Sequence, residues 1–131
     1  MNTKLGKILA EISAGELIDK ITILEIKKIK IKDSSKQNEV NKELSSLNNT
    51  LKKFIPDISL IEKQRNELKN INLRLWDIEN GKRKAEKLNN FGEDFIKLAR
   101  EVYKANDLRA KTKLEINNIL GSNIVEVKSH D

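Results

Sequence analysis

One proline and five glycines punctuate the 131 residues, and they fall where helices should break. Between them the apolar residues recur at three- and four-residue spacing, the period of a helix with one face buried. Ser13-Ala14-Gly15-Glu16 reads as a capping box, in which the Ser13 hydroxyl and the Glu16 carboxylate satisfy each other's free backbone N–H groups. A first helix then covers about 14–32 and stops in Asp33-Ser34-Ser35. A second covers about 36–54 and is closed by Ile55-Pro56, because the residue before proline avoids the helical region. Asp57 or Ser59 can cap a third helix over about 58–88, and Asn89-Asn90-Phe91-Gly92 forms a turn. A fourth runs over about 93–120 and ends at Gly121 as its C-terminal cap.

These elements predict an all-α fold, an antiparallel four-helix bundle in one domain over 1–131, with two shorter helices followed by a long helical hairpin. Ile61, Leu68, Ile71, Leu75 and Ile78 share one stripe of the third helix. Phe95, Leu98, Ala99, Val102, Ala110, Ile116 and Leu120 do the same on the fourth. Four antiparallel helices bring the chain back to the end where it began. The segments flanking the bundle, Lys7–Ile12 and the β-branched tail 123–128, read as extended. They are expected to pair as a small β-ribbon, or across a dimer, because an unpaired strand leaves its backbone groups without partners.

Composition excludes more than it assigns. There is no cysteine, so no disulfide, thiolate metal site or cysteine nucleophile can be drawn. No apolar run approaches the ~20 residues that cross a bilayer, and the apolar stretch after Lys7 is broken at Glu11, too short for a signal peptide. A cytoplasmic location is the expectation. The formal charge is +6, with 26 basic residues, but these are interleaved with glutamates, as along Lys63, Lys69, Lys82, Lys84 and Lys87. Lys, Asn and Ile, whose codons are rich in A and T, dominate the chain. A nucleic-acid face needs clustered basic residues, with aromatics where single strands are bound, so nucleic acid is not the expected partner.

The fourth helix carries the informative anomaly. Projected at roughly 100° per residue, Asn106, Arg109, Lys113 and Asn117 fall inside its apolar arc. A buried cation costs several kcal/mol unless paired, so a partner is implied. The first helix offers Glu25 within its own apolar arc. An antiparallel, equal-rise register sets Glu25 level with Arg109, Lys20 with Lys113 and Glu16 with Asn117. One reading is a structural ion pair, Glu25 with Arg109, that fixes which helices pair. The other is a small anion held by Arg109, Lys113, Lys20 and the Asn amides, since one carboxylate does not neutralise three cations.

Secondary polar candidates are Glu16, Trp76, Glu79 and Tyr103. Glu16 and Asp19 form an ExxD pair, but the second acidic pair of magnesium-binding helical pyrophosphohydrolases is missing, so no metal is expected. Trp76 lies at the flank of the third helix's stripe with Asn72, Glu79 and Arg83 on the same side, and Tyr103 comes level with Glu79 across the hairpin. His130 is alone near the end. No Gly-rich phosphate loop, nucleophile elbow or His cluster is present, and nothing calls for a cofactor.

Three stretches carry a family resemblance: Gly15-Glu16-Leu17-Ile18-Asp19-Lys20-Ile21-Thr22-Ile23-Leu24-Glu25-Ile26-Lys27, Leu75-Trp76-Asp77-Ile78-Glu79, and Asn106-Asp107-Leu108-Arg109-Ala110 leading to Gly121-Ser122. They resemble a bacterial domain-of-unknown-function family of short helical proteins, sometimes found beside or fused to glycosyltransferase and tetratricopeptide segments. The resemblance implies a helical fold and a neighbourhood in glycoconjugate metabolism, and no mechanism. Two functional classes follow. The first is a non-catalytic helical module, dimeric or bound to a protein partner. The second is a small-anion site inside the bundle for phosphate, carboxylate or nucleotide-sugar, binding or enzymatic. Chorismate mutases share only that general design, buried cations acting on an anionic substrate.

Overall fold

The computed structural model describes residues 3–130. Four α-helices carry the fold: α1 Ala14–Lys30, α2 Ser34–Phe54, α3 Glu62–Lys87 and α4 Glu93–Leu120. A short 3-10 turn, Ile58–Ile61, leads into α3 and takes the place of the expected first α-helical turn. Asp33 does more than end the first helix. Its carboxylate accepts the Lys36 N–H at 2.9 Å and starts α2 two residues earlier than the pattern suggests. The left-handed Gly121, at φ 65°, ends α4, where a residue with a Cβ would be strained.

Helix α1 is the centre of the molecule. It touches α2, α3 and α4, whereas α2 lies against α1 alone among the described elements. This explains a helix that is apolar nearly all round, since it has neighbours on both sides. Leu17, Ile18, Ile21 and Leu24 of α1 meet Val40, Leu44 and Leu51 of α2, Leu68 of α3, Ile116 of α4 and Ile61 of the 3-10 turn. Ile29, near the end of α1, is exposed.

Helices α3 and α4 form a long antiparallel hairpin. Gly81 lies within α3, not at a break, because the two helices come close there: a Cβ would sit 3.1 Å from Leu98 Cδ1. Near the tip, Phe91 and Phe95 stack edge to face at 5.4 Å between centroids. The buried line of α4 is Ala105, Thr112 and Ile116, joined by Asn117, whereas Ala99 is exposed and Asn106 only half-buried. Small residues on that line give α1 room to cross.

Among the described residues there is no strand, so the expected β-ribbon is replaced by something else. The extended segments before α1 and after α4 are linked by side chains. Asn123 Nδ2 donates to Glu11 Oε1 at 2.7 Å, and the Ser13 hydroxyl donates to the Glu126 carboxylate. No described helix is long and apolar enough to cross a membrane.

Candidate functional site

The site begins at the start of α1, where a helix exposes backbone N–H groups that lack intrahelical partners. Three are met by side chains: Ala14 N–H donates to Ser122 Oγ at 3.0 Å, Gly15 N–H to Asn117 Oδ1 at 2.7 Å and Glu16 N–H to Ser13 Oγ at 3.0 Å. Only half of the expected capping box is therefore used. The Glu16 carboxylate turns instead to Lys113 Nζ at 2.5 Å and Lys20 Nζ at 3.7 Å. Helices α1 and α4 can approach this closely because residue 15 is glycine. A Cβ there would collide with the Lys113 carbonyl oxygen and lie 3.0 Å from Asn117 Oδ1.

One turn further along α1 lies Asp19, fully buried. Arg109 of α4 grips it side-on, Nε donating to Oδ1 at 2.9 Å and Nη2 to Oδ2 at 2.5 Å. Asn72 of α3 donates from Nδ2 to Asp19 Oδ1 at 2.9 Å and to Thr22 Oγ1 at 3.0 Å, and the Thr22 hydroxyl donates to the Asp19 carbonyl at 2.8 Å. Three helices are thereby fixed around one carboxylate. The Asp19 hydrogen bond, opposed by burial and aided by the charges of Asp19 and Glu16, holds the Arg109 guanidinium above its ordinary pKa.

The buried counter-charge of Arg109 is thus Asp19, and not Glu25. Glu25 faces α3, 3.3 Å from Arg65 Nη2 and 3.7 Å from Lys69 Nζ. The equal-rise register does not hold: the two helices come close at Gly15, and Arg109 meets Asp19, six residues before Glu25. Lys113 meets Glu16 in place of Lys20, while Asn117 meets Gly15, beside the expected Glu16.

The chain after α4 returns to the start of α1. Ser122 Oγ, which accepts the Ala14 N–H, donates to the Ile124 carbonyl at 2.7 Å, and Asn117 Nδ2 donates to Glu126 Oε2 at 3.4 Å. Burial pushes the Glu126 carboxyl up. The Ser13 hydroxyl, the residue's own backbone, the Lys113 charge and the Asn117 amide outweigh it and set the group below the usual carboxylate value.

Trp76 and Glu79 join Arg109 in a second place, a groove of about 370 Å³ that also contains Asn72, Asn80 and Arg83. Tyr103 stays outside with 54% of its surface exposed, and Glu79 pairs with Lys82 at 3.6 Å instead. Asn106 makes no side-chain hydrogen bond to a described residue. Asp19, Thr22, Ser122 and Glu126 were missed from the sequence as site residues. The available signal was Asp19 and Thr22, one turn apart on a helix with no fully polar face.

Fold and site together define an all-helical protein whose first and last helices are locked by ion pairs around one buried carboxylate, Asp19. The chain belongs to a family of unknown function, DUF6165, which matches residues 8–131. No curated protein and no solved structure matches it.

Proposed function

We propose that this protein is a non-catalytic assembly module that pairs with a second copy of itself through the extended segment before α1. The observation that carries this reading is the apolar end of the molecule. Leu5, Ile8 and Leu9 are 78, 82 and 87% exposed on an extended stretch whose backbone, from residue 3 to 12, makes no hydrogen bond to the backbone of any described residue. Beside it opens a cavity of about 880 Å³, walled by Leu9, Ile12, Leu17, Phe54, Leu60 and Leu120.

Charge favours a second copy as the occupant. The cavity lining includes Glu11 and Asp57 and no lysine or arginine, while the exposed stretch carries Lys4 and Lys7 and no acid before Glu11. Two such segments running antiparallel across a twofold axis satisfy each other's backbone and bury their leucines and isoleucines in the partner's cavity. An anion gathered between α1 and α4 by Lys20, Arg109 and Lys113 together has less support, because Asp19 and Glu16 already pair with Arg109 and Lys113 there.

Sedimentation velocity tests the proposal. The wild-type chain at about 100 μM should sediment at twice the mass of a 15.0 kDa monomer, a micromolar-range association. Ile8→Asp with Leu9→Asp should be monomeric with unchanged helical circular dichroism. A monomeric wild type, or a double variant that dimerises equally well, would overturn the reading.

A further inference from the structure

The groove between α1, α3 and α4 has a composition that the structural network does not explain. Ile23 and Ile26 of α1 and Leu75 of α3 give it an apolar wall, and the ring of Trp76 is half-buried beside them. Two guanidinium groups, Arg83 and Arg109, stand on it; Asp19 balances Arg109 and Lys82 balances Glu79, which leaves the charge of Arg83 over. Arg83 is exposed and forms no ion pair with any described residue.

Arg109 is only half used. Asp19 takes the edge made by Nε and Nη2, which leaves the opposite edge, Nη1 with the second N–H of Nη2, unpartnered among the described residues. That edge is a second planar fork and matches the two oxygens of another carboxylate or phosphate. Its orientation is fixed before any ligand arrives, because Asp19 is buried and held by Asn72. Asn72 is itself 6% exposed and donates to Asp19 and Thr22. Its carbonyl oxygen accepts from no described residue, yet it is not sealed in the core, so an acceptor remains open to the groove.

We propose that this groove binds a small molecule that joins a carboxylate or a phosphate to a flat ring. The anion takes the free edge of Arg109 with Arg83 as the second cation, and the ring lies against Trp76 and the isoleucines. The volume, near the lower bound of ~300 Å³ for small-molecule sites, suits one ring and one anion, not a polymer. The site lies on other elements than the exposed stretch before α1 and does not depend on how two copies pair.

The chain holds one tryptophan, so its fluorescence reports on this groove alone. Phenyl phosphate, benzoate, inorganic phosphate and phenol are titrated separately to about 10 mM, beyond the millimolar constants expected for fragments of this size. Phenyl phosphate or benzoate should give a saturable change in Trp76 emission, and whichever binds tighter identifies the anion. Inorganic phosphate and phenol should each bind at least about tenfold more weakly, because each lacks one half of the recognised structure. Arg83→Glu, an exposed change that leaves the Asp19 network intact, should weaken the better probe by about tenfold or more. No saturable response to either ring-bearing anion would overturn the proposal. So would equal binding of inorganic phosphate or phenol, or an Arg83→Glu variant that binds as the wild type does.

Discussion

Arg109 and Asp19, ninety residues apart, meet edge to edge, with two N–H groups of one guanidinium on the two oxygens of one buried carboxylate. The pair is lopsided in its exposure. Asp19 is sealed in the core, whereas the Arg109 side chain retains 30% of its surface. Arg109→Ala strands a buried charge and should cost about 3–5 kcal/mol, while Asp19→Asn leaves an arginine that can turn towards water and should cost less. Urea midpoints of the two variants test the order, and a reversed order would show that the carboxylate is solvated.

Glu25 supplies the control. It is 28% exposed between Arg65 and Lys69, and its loss leaves no buried cation behind. Glu25→Gln should therefore lower stability by no more than about 1 kcal/mol in the same urea titration. A loss as large as that of Arg109→Ala would place Glu25, and not Asp19, at the centre of the network.

Two glycines within helices should respond to alanine in opposite directions. At Gly15 the new methyl meets the Lys113 carbonyl, a backbone atom that cannot swing aside. Gly15→Ala should cost about 1–3 kcal/mol although alanine is the better helix former. At Gly81 the neighbour is Leu98 Cδ1 at 3.1 Å, the end of a side chain with other rotamers. Gly81→Ala should be neutral or stabilising by up to about 1 kcal/mol. Thermal melts of the two variants should shift in opposite senses, or leave Gly81→Ala unmoved.

What the sequence disclosed follows from the same contacts. The four helices were legible because their punctuation is local: Ser13, Pro56, the turn before Gly92 and Gly121 each act within one turn of chain. The importance of Arg109 was legible too, as a cation on an apolar arc. Its partner was not. Helix α1 is apolar nearly all round, so Asp19 did not stand out from a polar face, and an equal-rise register sets Glu25 level with Arg109 in its place. Trp76, Glu79 and Arg83 could be placed on one side of a helix, but only the crossing of α1 over α3 and α4 brings Arg109 among them. The β-branched residues of the tail suggest a strand. Its polar residues, Asn123 and Glu126, hold it to the start of α1 through side chains instead.

That attachment should depend on pH through Glu126. In the docked tail its carboxyl lies below the usual carboxylate value, so the docked form binds fewer protons than the free one. The contribution of Glu126 to docking is therefore fully present above the ordinary glutamate value, about 4.3, and is lost as pH falls through the lowered value. The residues beside it explain why the charged form is preferred. Ser13 and Asn117 donate to it, and Lys113 and the N-terminal end of α1 supply positive potential. Methyl NMR signals of Ile124 and Val125, which are only partly exposed, should move towards free positions from neutral to acid pH while the signals of Ile18 and Ile21 in the core hold. In Glu126→Gln the Ile124 and Val125 signals should already be shifted towards the free positions at neutral pH, and the acid step should vanish. An acid step that survives in Glu126→Gln would remove Glu126 as the cause of the tail's release.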